Sequence, residues 1–154
     1  MDISDSCEML LAPLSFENDY DNRTKPYFNM RKSILSVNGN RAMNYLLKTI
    51  LEKEYQFIPA IDVFQAIHQL RTNKNIFFLI VDLDFHSQQA WELIEHIKSS
   101  KLYKIPVIVL ATDNTELLRQ KCYDYEVDEI FFKPFNPVDL IGAIGNTVNA
   151  TIIN

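Results

Sequence analysis

Glycine is scarce in this chain, with three residues in 154, and proline contributes only six. That excludes collagen-like, linker-like and other low-complexity architectures. The two cysteines, Cys7 and Cys122, have neither metal-ligand nor redox spacing, so no disulfide scaffold or zinc module is expected. A reducing cytoplasm is the simpler setting for such a protein. No apolar run approaches the roughly 18 residues that a membrane span requires. The start, Met1-Asp2-Ile3-Ser4-Asp5, lacks the basic n-region of a signal peptide. Fifteen Lys and Arg face twenty Asp and Glu, a net charge of −5, and the cations form no cluster. Direct binding to a phosphate backbone needs such a cluster, so nucleic acid is not an expected partner.

What is present is an ordinary globular composition, 47% hydrophobic and 23% charged, in a length that suits one domain. Residues 1–31 hold six acids against Arg23, Lys25 and Arg31, with turn-forming pairs such as Asn18-Asp19 and Asp21-Asn22. They read as an irregular N-terminal extension, although Met9, Leu10, Leu11, Leu14, Phe16, Tyr27 and Phe28 are too apolar for a purely solvated tail. From Lys32 to Asn149 short apolar runs alternate with longer amphipathic segments, and residues 150–154 read as a C-terminal tail.

The runs are Ile34–Val37, Phe57–Ile61, Ile76–Val81, Pro106–Leu110 and Ile130–Phe132. The third and fourth are apolar without alternation, as in strands covered on both faces within a parallel sheet. Between them, 41–53 place Met43, Leu46, Leu47, Ile50 and Leu51 on one stripe, and 62–71 do the same with Val63, Ala66, Ile67 and Leu70 behind an Asp62 cap. Residues 89–99, 114–125 and 137–149 complete five βα units, the last opening on Pro137. Five such units in series predict a doubly wound α/β sandwich. Chemistry in such sheets gathers at the carboxyl ends of the strands. Asp82 follows the third run there and Lys133 follows the fifth, so the two can form a charge-assisted pair.

These motifs resemble the receiver domain of bacterial response regulators. Asp82-Leu83-Asp84-Phe85-His86 is similar to that family's phosphoacceptor loop. Ala90-Trp91-Glu92-Leu93 stands where the family has Gly-x-Glu-Leu, Ile105–Leu110 resembles its fourth strand, and Lys133-Pro134-Phe135 matches its Lys-Pro-Phe. The resemblance implies a flavodoxin-like, five-stranded parallel sheet of order 2-1-3-4-5 with five helices. It also implies phosphorelay signalling, with Asp82 as phosphoacceptor, Lys133 contacting phosphate, and a sensor histidine kinase or another signalling protein as partner.

The departures point elsewhere. Asn38 and Gly39 occupy the positions of the acidic pair that holds Mg²⁺, a hard cation that wants carboxylate oxygens. Ala111 replaces the phosphoryl-sensing hydroxyl, Ile130 the switch aromatic, and His86 the loop proline. Thr112 and Asp84 are each expected to point away from the site, by the alternation of extended backbone. His86 reads as an exposed loop histidine, and His68 and His96 have no metal-ligand spacing. Trp91 reads as a helix residue covering the sheet, and Cys122 as core without a catalytic partner.

A stand-alone pseudo-receiver is therefore expected, neither an enzyme nor a metal or cofactor protein, acting through protein–protein contacts with Mg²⁺ binding lost. The apolar residues of the fourth helix, fifth strand and last helix suggest a homodimer face, with the N-terminal extension as rival occupant. Two alternatives stay open: a working phosphoacceptor with an unusual metal site, and a flavodoxin-like cofactor binder. The second is disfavoured by the lone glycine after the first strand.

Overall fold

The computed structural model describes residues 31–153. The N-terminal extension, up to Met30, and its apolar residues lie outside the described residues. Five strands alternate with five helices: β1 (Ser33–Val37), α1 (Arg41–Leu51), β2 (Gln56–Ala60), α2 (Val63–Thr72), β3 (Ile76–Asp82), α3 (Ser87–Ser99), β4 (Val107–Ala111), α4 (Glu116–Asp124), β5 (Glu129–Phe132) and α5 (Pro137–Ile153). All neighbouring strands pair in parallel, in the order β2-β1-β3-β4-β5. The doubly wound fold and its strand order are as the sequence predicts.

Strand alternation sends side chains to two separate cores. Ile34, Phe78, Ile80, Ile108 and Leu110 point to one face, under Leu47 and Leu51 of α1 and Leu140 and Ile144 of α5. Leu35, Leu79, Val81, Val107 and Val109 point to the other, under α2, α3 and α4. The central strands are buried on both sides for this reason, which explains their unbroken apolar sequence. Trp91 and Cys122 belong to the second core, and Trp91 meets the Tyr125 ring edge-on at 4.9 Å between centroids. Burial pushes the Cys122 thiol up to about 11, which keeps it protonated at neutral pH.

Three helices start on a polar residue that caps the first turn. Asn40, Asp62 and Thr115 accept from the backbone N–H of Met43, Gln65 and Leu118, respectively. The α3 helix starts differently, on His86 in the left-handed region at φ 52°, whose imidazole makes no capping hydrogen bond. The last helix continues to Ile153, past the end at 149 that the sequence suggests. No breaker stands among Thr147–Ile153 to stop it. Leu46 lies at the edge of the α1 stripe and stays 38% exposed. No helix is long and apolar enough to cross a membrane among the described residues.

Candidate functional site at the strand ends

The parallel sheet brings the ends of β1, β3, β4 and β5 to one edge. Asp82 is the last residue of β3, and its side chain is fully buried. Lys133 follows β5 and reaches across β4, donating from Nζ to Asp82 Oδ2. Its backbone N–H is fixed to Ala111 O at 2.9 Å, which keeps it beside the end of β4. The next peptide, Lys133-Pro134, is cis.

Asp84 corrects the sequence reading. Alternation fails because β3 ends at Asp82, and the Asp84 N–H turns back to donate to Asp82 Oδ1 at 2.8 Å. This turn points the Asp84 carboxylate into the site, where Oδ2 accepts from Lys133 Nζ at 2.8 Å. Thr112 corrects it likewise, since β4 ends at Ala111 and the backbone is no longer extended one residue later. Its hydroxyl donates to Asp84 Oδ2 at 2.7 Å and its N–H to Asp84 Oδ1 at 3.1 Å. One carboxylate thus ties three loops together.

The electrostatics follow from those contacts. Burial pushes the Asp84 carboxyl up, but hydrogen bonds from Lys133 and Thr112 outweigh it and hold it below its ordinary value. Burial likewise favours neutral Lys133, yet its hydrogen bonds to Asp82 and Asp84 hold its pKa above the ordinary lysine value. The lysine charge is already met by two carboxylates.

Asn38 and Gly39, after β1, line a small cavity of about 10 Å³ together with Asp82, Phe85 and His86. That is room for about one water molecule. Asn38 is only 2% exposed, and a web of amides fixes it. Its Oδ1 accepts from Asn40 N–H at 2.8 Å, and its backbone carbonyl accepts from Asn44 Nδ2 at 2.8 Å. The Ser36 hydroxyl holds Asn44 in turn, at 3.3 Å. Asn38 Nδ2 is left buried with no hydrogen-bond partner. Sequence reasoning missed Asn44; its signal was a polar residue at helical spacing with Leu47 and Leu51. Phe85 lines the cavity, its Cγ lying 3.6 Å from where a Cβ on Gly39 would sit.

Other positions singled out by the sequence are placed as follows. Ala111 is buried at the end of β4, and Ile130 is half-buried against the α2–α3–α4 core. His86 is exposed. Larger hollows, such as one of about 400 Å³ lined by Lys32, Ile76 and Pro106, open at the opposite end of the sheet.

The response regulator receiver domain profile matches residues 34–145. The protein belongs to the response regulator receiver family. The receiver is 30% identical over 116 residues to response regulator GtcR of Aneurinibacillus migulanus, covering 75% of this chain and 47% of that protein. It thus spans under half the length of that relative. To the two-component response regulator ORR11 of Oryza sativa subsp. indica it is 26% identical over 109 residues, covering 70% of this chain and 74% of that protein. A response regulator from Thermotoga maritima shares its fold, with a TM-score of 0.70 at 22% identity over 77% of this chain and 98% of that one.

Receivers normally bind Mg²⁺ at this edge of the sheet, and the residues of this receiver do not fit it. Gly39 has no side chain to offer, Asn38 spends Oδ1 on Asn40 N–H and its other side-chain polar atom is a donor, and both Asp82 and Asp84 are engaged by Lys133. A divalent cation needs oxygen ligands, and an amide nitrogen presents protons instead. Among the described residues, no group of three or more His, Cys, Asp or Glu side chains could hold a metal ion.

Proposed function

We propose that this receiver works in two-component signalling as a pseudo-receiver, binding partner proteins without Mg²⁺-dependent phosphorylation. The observation that carries this reading is an amide, Asn38, and a glycine, Gly39, lining the same small cavity as Asp82, with Asn38 Nδ2 buried and without an acceptor among the protein atoms. Phosphoryl transfer to a carboxylate leans on a metal to neutralise the transferring oxygens. The Asp84–Thr112–Lys133 network supports the same reading, because it supplies from within the protein an anion that joins the loops after β3, β4 and β5. The β3–α3 and β4–α4 loops are then joined whether or not a phosphodonor is present. Such a module is an adaptor, not an enzyme, and its place is the cytoplasm. Its partners are a histidine kinase or another signalling protein, a second copy through α4, β5 and α5, or both.

The test is an Mg²⁺ titration of the full-length protein and its incubation with a small-molecule phosphodonor, followed by intact mass. The expected result is no binding at millimolar Mg²⁺ and no adduct. A phosphate adduct that disappears in Asp82→Asn would establish the second reading, a working phosphoacceptor, which the retained Asp82–Lys133 pair favours.

A further inference from the structure

Asn38 is followed by Gly39, and glycine lets a peptide nitrogen approach a neighbouring carbonyl with no Cβ in the way. Three features of this loop bear on that approach. The Asn38 Oδ1 bond to Asn40 N–H folds the side chain over the Gly39 peptide and polarises the Cγ carbonyl. The Nδ2 amide nitrogen finds no acceptor among the protein atoms described. Gly39 itself is exposed to water and base, and among the described residues nothing accepts from its N–H. No positive φ demands glycine there, and a Cβ would have ordinary contacts with Phe85 and the Ile61 carbonyl.

We propose that Asn38 is a self-modifying residue that loses its amide through a cyclic imide, which turns the donor in the cavity into a carboxylate beside Asp82. The Gly39 nitrogen gives its proton to base and attacks Asn38 Cγ. The Cγ–Nδ2 bond breaks, and ammonia leaves after taking a proton from water. A second water then opens the imide: cleavage of the new Cγ–N bond leaves aspartate at position 38, and cleavage of the original backbone C–N bond leaves isoaspartate. Asparagine and water become aspartate and ammonia, with no redox partner. The isoaspartyl product inserts a methylene between Cα of residue 38 and the Gly39 nitrogen, which lengthens the backbone between Asn38 N–H, held on Ala60 O at 2.9 Å, and the Asn40 cap, held on Met43 N–H at 3.1 Å. Aspartate is the product this loop accommodates. The inference rests on the reading that the asparagine form is metal-free, and it makes that state the first of two.

The experiment ages the metal-free full-length protein in mildly alkaline buffer and follows it by peptide mapping. The peptide holding residues 38 and 39 is expected to gain about one mass unit, from loss of NH and gain of O. In Gly39→Ala, which the contacts allow, the change should slow by roughly tenfold or more. An unchanged mass, an equal rate in Gly39→Ala, or isoaspartate as the main product overturns the proposal. A separate arm compares Mg²⁺-dependent melting of fresh protein, aged protein and Asn38→Asp. Stabilisation of the aged protein and Asn38→Asp alone supports the two-state picture. Its absence in the aged protein despite the mass gain overturns the second state. Stabilisation of fresh protein refutes the pseudo-receiver reading while leaving the mass result standing.

Discussion

Lys133 holds two carboxylates, and they are not equivalent. The Asp82 side chain is fully buried, whereas that of Asp84 keeps 27% exposure. Removing one partner of a buried pair strands a charge and costs about 3–5 kcal/mol, while an exposed pair is worth about 0–1 kcal/mol. Lys133→Met and Asp82→Ala are therefore expected to be far more destabilising than Asp84→Asn in urea unfolding. The double variant at 82 and 133 should lose much less than the sum of the singles. Strict additivity would mean that the charges do not interact. The pH dependence has a definite sign. Asp84, with its pKa lowered, contributes stability above the ordinary carboxylate range and loses it as pH falls through the folded value. Lys133, with its pKa raised, contributes below the ordinary lysine value and loses it as pH rises through the folded one. The network is whole at neutral pH, and Lys133→Met should weaken both limbs of the stability profile. The Asp82–Lys133 pair was legible in the sequence because both residues directly follow apolar runs. Asp84 and Thr112 were not, since period-two alternation says nothing once a strand has ended.

At the scale of elements, apolar runs and caps carried most of the information. Asp62 was legible as the cap of α2, and it accepts from Gln65 N–H at 2.8 Å while Gln65 Oε1 accepts from Ile61 N–H at 3.0 Å. This reciprocal arrangement satisfies two backbone donors at a helix start. Asp62→Ala is expected to cost about 1 kcal/mol, seen as a lower urea midpoint at unchanged slope. An unchanged midpoint would mean that water replaces the cap without cost. The α3 start was not legible, because His86 offers no cap and enters the helix from the left-handed region. The end of α5 was missed for a different reason. No glycine or proline stands among Thr147–Ile153 to mark a stop, so no residue there set the end at 149, and the helix runs on to Ile153.

At the scale of the whole described domain, the sheet has two unlike edges. The β2 edge carries Pro59, which removes a ladder donor and discourages another strand from adding there. The β5 edge lies between α4 and α5, where Leu117, Tyr123 and Val138 are 82%, 79% and 70% exposed. Scattered apolar residues are ordinary on a surface, but large exposed ones on both helices flanking one sheet edge are what a twofold contact through that edge would use. On the pseudo-receiver proposal, with the loops joined without phosphate, those residues would stay exposed between signals. The full-length protein is therefore expected to dimerise in sedimentation equilibrium, and Leu117→Asp with Tyr123→Asp should shift it to monomer. Neither residue belongs to the core, so thermal unfolding of the monomeric variant should stay cooperative. A wild-type monomer at every accessible concentration would remove the dimer, and α4 and α5 would then be free for a different protein.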